Sequence, residues 1–198
     1  MFAFVLIAAF LLLLLTFRSL VIAVKAVVLN LLSVAAAYGV VVAVFQYGWG
    51  QHLLGFQSNS AIAPWLPLML FVILFGLSMD YHVFILSRIR EAYDRGLDTK
   101  EAVARGIKTT AGTVTSAAVV MVGVFSIFAT LPILDMKEFG VGLAAAVLID
   151  ATLIRGVLLP ASMRLLGDWN WYLPNWLHWL PKLEHHIEPA VQPAPAAA

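Results

Sequence analysis

The chain has 198 residues, of which 62% are hydrophobic and only 12% charged, and its formal net charge is +1. Typical globular domains carry about 25% charged residues, and a water-soluble protein of this length could not bury so much apolar surface. The composition therefore excludes a soluble domain and indicates an integral membrane protein. The small net charge gives no reason to expect a nucleic-acid partner. The sequence contains no Cys, which excludes disulfides and Cys-ligated metals.

Apolar runs divide the chain into five predicted membrane spans. A spanning helix needs about 20 mostly apolar residues. The first run lacks the basic start and the cleavage site of a signal peptide, which favours a membrane span there. We therefore predict an all-α, polytopic membrane helix bundle within residues 1–182. Its five helices are expected near 1–17, 26–47, 64–86, 109–131 and 139–162.

The placement of Lys and Arg predicts how the bundle is oriented. Ten of the 12 basic residues fall on one side of the predicted spans, whereas the loops on the other side hold only Lys137. Basic loops stay in the cytoplasm, so we expect the N-terminus outside and the C-terminus inside. The stretch 88–108 carries both signs of charge and predicts a solvated connector. Asp98 is the expected N-cap of a short helix at its end.

The chain beyond the last predicted span consists of a Trp-rich segment followed by a tail of different composition. Its Trp-rich segment, 168–182, predicts an interfacial stretch along the inner membrane surface. A lipid-facing aromatic patch that only anchors the protein is the alternative. The tail 183–198 is rich in Ala and Pro and is predicted to be disordered. The Trp residues that carry the first prediction are Trp169, Trp171, Trp176 and Trp179.

One acidic residue follows a long uncharged run inside a predicted span. Asp80 lies eight positions before Arg88, or about 12 Å along a helix, and therefore below the bilayer surface. An ionised Asp in the membrane costs about 2.5–3.5 kcal/mol, so a carboxyl group there tends to take up a proton. Such a group suits a proton pathway. Tyr81 follows and points about 100° away around the helix. His82 is expected toward the cytoplasmic edge, in a structural role.

Gly76 lies one turn before Asp80 and would let a neighbouring backbone approach closely. A second acid, Asp150, lies near the middle of the last predicted span, five positions before Arg155. That spacing places the two side chains on different faces of an α-helix, so a direct pair within the helix is not expected. Asp150 therefore needs another partner.

The preceding helix offers a candidate partner for Asp150 in a stripe of hydroxyl residues spaced i, i+4 and i+7. The stripe consists of Thr109, Thr113 and Ser116. Gly112 and Ser116 also form a small-xxx-small pattern, which is typical of close helix contacts. Two interpretations stay open for Asp150, Arg155, Thr113 and Ser116: a proton relay or helix packing.

The residue patterns of enzymes do not occur in this sequence. The stretch GLSMD at 76–80 departs from the G-x-G-D order of intramembrane aspartyl proteases, and no His falls in a metal-binding H-E-x-x-H. We therefore expect neither catalysis nor a metal or other cofactor.

Four stretches of sequence resemble the MmpL family, within the RND superfamily of proton-driven exporters. FGLSMDYHVFILSRIREAYDRG, at 75–96, is similar to the Asp-Tyr helix of that family. The other three follow the family order: FRSLVIAVKAVVLNLLSVAAAYG at 17–39, AVARGIKTTAGTVTSAAVVMVGVFS at 102–126, and GVGLAAAVLIDATLIRGVLLPASMRLLGDWNWYLP at 140–174. Residues 1–182 are thereby identified as an MmpL-like transmembrane domain.

The resemblance implies a half bundle of RND type without a porter domain. Full family members have two repeats, each with six membrane helices and a porter domain, and this chain matches the last five helices of the second repeat. The implied partners are membrane lipids, the first repeat and the porter domains, in cis or in trans. A homo-oligomer stays open. Asp80 and Tyr81 fall on the family's proton-relaying Asp-Tyr pair, and Asp150 matches an Asp of its last helix.

The expected function is that of the C-terminal membrane portion of a proton-motive-force-driven exporter of lipids or other hydrophobic molecules, in the plasma (inner) membrane. Two alternatives stay open. One is a truncated or split-gene product that is inactive alone. The other is a lipid- or sterol-sensing membrane module.

Overall fold

The computed structural model describes residues 2–57, 61–174 and 177. Within these ranges the chain folds into helices joined by short turns. In chain order they are α1 (Phe2–Phe17), α2 (Leu20–Val41) with a π-helical end (Val42–Gln46), the short α3 (Gln51–Leu54), α4 (Leu66–Asp94), α5 (Thr99–Phe128), α6 (Leu134–Ile149), a π-helical segment (Asp150–Leu158), α7 (Leu159–Leu166) and a 3-10 turn (Gly167–Trp171). We refer to Asp150–Leu158 as the π segment.

Four of the described helical rods are long and apolar enough to cross a membrane. They are Leu20–Gln46, Leu66–Asp94, Thr99–Phe128 and Leu134–Trp171, and the apolar α1 is shorter. The predicted helical membrane bundle of about five helices is confirmed. In the last rod, α6, the π segment and α7 run on without a break.

The helix ends differ from the prediction because charged residues end an apolar run without ending a helix. α2 begins at Leu20 rather than near residue 26, since Ser19 Oγ caps it by accepting a hydrogen bond from the Ile22 amide at 3.2 Å. Lys25 is simply included in the helix. The last rod likewise begins at Leu134 rather than near residue 139 and continues to residue 166.

The expected connector at 88–108 is mostly helix, and its prediction as a loop is wrong. α4 continues to Asp94, where ion pairs at helical spacing, such as Arg90 with Asp94 at 3.0 Å, support it beyond the apolar run. A short turn follows, with Gly96 at φ 91. α5 then begins at Thr99, where Asp98 accepts from the Glu101 amide at 2.7 Å, so the predicted N-cap is confirmed.

The packing places α4 in the middle of the bundle and α5 at its side. α4 contacts α1, α2, α5 and α6 and buries residues along its whole length. Two glycines set the close contacts of α5. A Cβ on Gly106 would lie 2.9 Å from Ile89 Cα of α4, and a Cβ on Gly140 of α6 would lie 2.6 Å from Phe125 O of α5.

The N-terminal end of the last rod is tied to the chain before α4. The Lys137 ammonium donates to the carbonyl oxygens of Leu54 and of Gly55, the latter at 3.3 Å. Glu138 Oε2 accepts a hydrogen bond from the Ala63 amide at 3.0 Å. These contacts position the loop between α3 and α4 over the start of α6.

The 3-10 turn folds back onto the beginning of α2 through Asn170. Ser19 Oγ donates to Asn170 O at 2.5 Å, and Lys25 Nζ donates to Asn170 Oδ1 at 2.8 Å. Asn170 Nδ2 donates in turn to Met163 O at 2.7 Å. The turn thus fastens the last rod to the start of α2 through a fully buried side chain.

The predicted interfacial segment 168–182 is only partly within the described residues. Trp169 is 72% exposed, as an interfacial residue would be. Trp171, in contrast, stacks on Tyr93 of α4 with the ring centroids 4.5 Å apart. Trp176, Trp179 and the tail 183–198 lie outside the described residues, so the prediction of a disordered tail stays a prediction.

Candidate functional site

The two residues of the expected proton relay face different surroundings. Asp80 is exposed on the surface of α4 and does not point into the bundle. Tyr81 is partly buried and its hydroxyl donates to Met121 Sδ at 3.8 Å. Its ring lies 4.8 Å from the guanidinium carbon of Arg155, a cation–π contact. Tyr81 therefore joins the surface beside Asp80 to a buried cation.

Asp150 and Arg155 form a buried ion pair, and the prediction that their spacing excludes a direct pair is wrong. Arg155 Nη2 and Nε lie 2.6 Å and 2.8 Å from Asp150 Oδ2. The cause is the π segment, whose backbone bonds join residues five apart and bring their side chains to one face. In an α-helix the two would be separated by about 140°.

Ser78 of α4 lies at the centre of the polar contacts around this pair. Its hydroxyl oxygen is 3.1 Å from Asp150 Oδ1 and 2.6 Å from Asn30 Oδ1 of α2. Arg155 Nη2 donates to Ser78 O at 2.5 Å and to Ser78 Oγ at 3.0 Å. All four side chains are buried. Three helical elements thus meet at one hydroxyl group.

His82, one turn after Ser78, belongs to the same site and is fully buried. Its Nδ1 lies 3.3 Å from Ser78 O. A carbonyl oxygen only accepts, so a hydrogen bond between these two atoms requires the proton on Nδ1. We call these five residues the Ser78 cluster: Asn30, Ser78, His82, Asp150 and Arg155.

Three buried polar atoms of the Ser78 cluster have no hydrogen-bond partner within the described part of the chain. They are Asn30 Nδ2, His82 Nε2 and Arg155 Nη1. Buried polar groups are nearly always hydrogen-bonded, and an unsatisfied donor costs about 1–3 kcal/mol. Their concentration around one hydroxyl makes the Ser78 cluster the candidate functional site.

The stripe on α5 does not reach Asp150, so its prediction as a partner of that acid is wrong. Thr109, Thr113 and Ser116 are all exposed, and Ser116 Oγ donates to Gly112 O of its own helix at 2.8 Å. The spacing correctly predicts that they share a face, but spacing alone does not tell which way that face turns. It turns outward.

Two expected close contacts at glycine are also absent within the described residues. A Cβ built on Gly76 or on Gly112 would meet nothing within 4 Å. Both positions are exposed, as are Asp80 of α4 and the hydroxyl stripe of α5, so all of them belong to the exposed surface of these two helices. We call this surface the open face, defined by Gly76, Asp80, Gly112, Thr113 and Ser116.

The sequence analysis missed Asn30 and Ser78. The available signal was Asn30, the only amide side chain in the apolar stretch 26–45. A lone amide inside a membrane span needs a partner there. No metal site accompanies the cluster: among the described residues, no three His, Asp or Glu side chains are grouped so that they could hold an ion.

Comparison with known proteins gives the chain's relatives. The model of the MMPL family matches residues 1–190. The chain is 47% identical over 182 residues to the "Heme uptake protein MmpL11" of Mycobacterium tuberculosis, covering 91% of this chain and 19% of that protein. It is 47% identical over 176 residues to the "Mycolic acid-containing lipids exporter MmpL11" of Mycolicibacterium smegmatis, covering 89% and 18%.

A more distant match is the "Trehalose monomycolate exporter MmpL3" of Mycolicibacterium smegmatis, with 39% identity over 163 residues. That match covers 82% of this chain and 16% of the relative. The chain therefore spans at most about a fifth of the length of these three relatives.

Proposed function

This chain belongs to the MMPL family of transporters, and we propose that it is the C-terminal membrane portion of a proton-motive-force-driven exporter of lipids or other hydrophobic molecules. Asp80 and Tyr81 would form half of its proton relay. The relatives' names support the cargo class, since they include exporters of mycolic acid-containing lipids and of trehalose monomycolate. A heme uptake protein among them extends the class to other hydrophobic molecules.

The observation that carries the relay is the Tyr81 ring, which lies between an exposed acid and a buried ion pair. Asp80 is open at the surface of α4, and the Arg155 guanidinium lies over the Tyr81 ring and is paired with Asp150. In the proposal Asp80 takes up a proton from the outside. Its lost charge changes the field acting on Arg155 at the Tyr81 ring.

The change in charge can move the bundle because the ion pair joins the last rod to α4. Arg155 holds Asp150 and also the backbone of Ser78 in α4. When Asp80 loses its charge, its attraction for Arg155 is removed, so Asp150 holds Arg155 more strongly and the relative positions of α4 and the last rod change. A shift of that kind follows differential stabilisation of two arrangements. Release of the proton to the inside then restores the first arrangement. In the complete transporter this cycle would drive the porter domains.

We further propose that the open face binds the first repeat of the transporter, supplied in cis or in trans. Small and hydroxyl side chains let membrane helices approach closely, and the open face has them at Gly76, Gly112, Thr113 and Ser116. This assigns Thr113 and Ser116 to packing. Association with a second copy of the chain and with membrane lipids are the other partners that this face would allow.

The relay is tested with Asp80→Asn in the transporter assembled with its remaining parts. We expect proton-driven export to fall to background while the protein remains folded, because an amide takes up no proton in this pH range. Asp94→Asn is the matched control. Asp94 is also an exposed acid of α4, but it is paired with Arg90. This variant should keep export near the unmodified rate. Export that persists in Asp80→Asn contradicts the relay.

A further inference from the structure

The Ser78 hydroxyl has two acceptors within reach and one proton to give. Asn30 Oδ1 lies 2.6 Å away on α2, and Asp150 Oδ1 lies 3.1 Å away in the π segment. A serine hydroxyl donates one hydrogen bond and accepts others. The proton must therefore point to one of the two oxygens at a time, and whichever accepts more strongly holds it.

The side-chain amide of Asn30 can accept a hydrogen bond from Ser78 or donate one to it. Its Nδ2 is fully buried without a partner, while its Oδ1 faces Ser78. The last torsion of an Asn side chain is broad and roughly two-fold, so a half turn exchanges Oδ1 and Nδ2. After that half turn, Nδ2 donates to Ser78 Oγ and the unpartnered donor is satisfied. The Ser78 proton is then free for Asp150.

We propose that Asn30 and Ser78 form a hydrogen-bond switch whose setting follows the charge of Asp150. The inference rests on the proposed function and extends it, because the proton that Asp80 takes up passes to Asp150 before its release to the inside. Both are positioning residues, since the transported proton does not pass through them. The switch makes α2 sensitive to the relay, although the nearest acids lie on other helices.

With Asp150 ionised, Ser78 donates to Asp150 Oδ1, and the Asn30 amide makes a half turn from its orientation in the structure, so that Nδ2 donates to Ser78 Oγ. A hydrogen bond to a carboxylate is roughly twice as strong as one between neutral groups, so this arrangement wins. With Asp150 protonated, the acid O–H donates to Ser78 Oγ, and the Ser78 hydroxyl turns to Asn30 Oδ1. The proton on Asp150 comes from the relay. The Ser78 proton stays on its own oxygen, so only its direction changes.

Each element around Asp150 carries charged or titratable side chains. The charged and titratable side chains are Arg155 beside it, Asp80, Tyr81 and His82 on α4, Lys25 and Tyr38 on α2, and Arg164 on α7. Those of α5 and α6 lie toward the ends of these helices, at 100–108 and 135–138. Arg155 directly contacts Asp150, and Ser78 is the neutral group that bonds both Asp150 and α2.

The test is an infrared difference spectrum of the full chain in lipid vesicles, recorded between neutral and acid pH. The chain carries asparagine labelled with carbon-13 in the side-chain carbonyl. We expect a labelled amide band in the difference spectrum, because the Asn30 carbonyl gains a hydrogen bond as Asp150 takes up a proton. The band should be lost in Asn30→Leu, in Asp150→Asn and in Ser78→Ala.

Two variants separate a switch from a merely structural role. Ser78→Thr keeps the hydroxyl and should restore the band that Ser78→Ala loses. Ser33→Ala removes another buried hydroxyl of α2 and should leave the band unchanged. A band that is absent from the unmodified chain, or that survives Asn30→Leu or Asp150→Asn, overturns the switch.

The same spectra distinguish the switch from the relay itself. Asp80→Asn should keep the asparagine band at equilibrium, because Asp150 still meets solvent protons as the pH is lowered. If export survives Asp80→Asn while the band behaves as expected, the relay through Asp80 is wrong and the switch stands. If export is lost and the band is absent, the relay stands and the switch is wrong.

Discussion

Arg155 is the most heavily buried charge near the middle of the last rod, with 3% of the residue exposed. Three groups offset the cost of its burial: the Asp150 carboxylate, the Ser78 carbonyl oxygen and the face of the Tyr81 ring. A buried ion pair contributes little net stability, but removing one partner leaves an uncompensated charge. Replacing both residues of the pair should therefore cost less stability than removing only one of them.

We expect Arg155→Met to lower the free energy of unfolding by about 3–5 kcal/mol, because Asp150 is left buried and unpaired. The double variant Asp150→Leu with Arg155→Met should cost less than Arg155→Met alone, since no charge then lacks a partner. Reversible unfolding in mixed micelles measures both values. A double variant less stable than Arg155→Met would contradict this account of the pair.

At the same scale, the sequence identified the two acids but not their partners. An acid inside an apolar run is visible from composition, which is how Asp80 and Asp150 were found. Whether the acid meets another helix depends on the rotation of its own helix. Asp80 turns to the open face and Asp150 turns inward, although both follow uncharged runs.

At the scale of the element, the π segment determines which side chains meet. Residues five apart share a face there, and the same sequence in an α-helix would separate Asp150 from Arg155. A local pattern cannot show the difference, because the contact to Ser78 comes from another helix far along the chain. Long helices were predicted correctly, whereas their ends depended on caps such as Ser19 and on ion pairs beyond the apolar run.

The glycines of α5 give a prediction at this scale. Gly106→Ala should destabilise the bundle by about 1–3 kcal/mol, since the new Cβ would press on the backbone of Ile89 in α4. Gly112→Ala on the same helix meets nothing within 4 Å and should be neutral or stabilise by up to about 1 kcal/mol. Unfolding of both variants under one condition gives the comparison. Equal effects would contradict the close contact at Gly106.

Across the whole molecule, composition was enough to predict a helical membrane bundle, but not which surfaces are inside it. Lipid tails are as apolar as a protein core, so apolar residues surround a membrane helix on all sides. α5 shows this with Val119, Val120 and Ile127, each more than 60% exposed. In water such residues would mark the buried face. In this membrane bundle they are exposed, so the sequence alone could not predict the open face.

The proposed orientation of the whole bundle can be checked by chemical labelling, because the chain has no Cys of its own. Gln57→Cys should react with an impermeant reagent from outside, and Lys100→Cys only from the cytoplasmic side. Both sites are exposed, and they avoid Gly55 and Gly96, whose positive φ angles disfavour other residues. The reverse labelling pattern would overturn the orientation inferred from Lys and Arg.

The buried position of Asn170 also has a consequence for the order in which the molecule is completed. Ser19 and Asn170 are 151 positions apart, and a growing chain exposes its N-terminal part first. During synthesis, therefore, the start of α2 lacks its Asn170 partner until the last rod has been made. The contact forms only after α2 to α7 have all been synthesised.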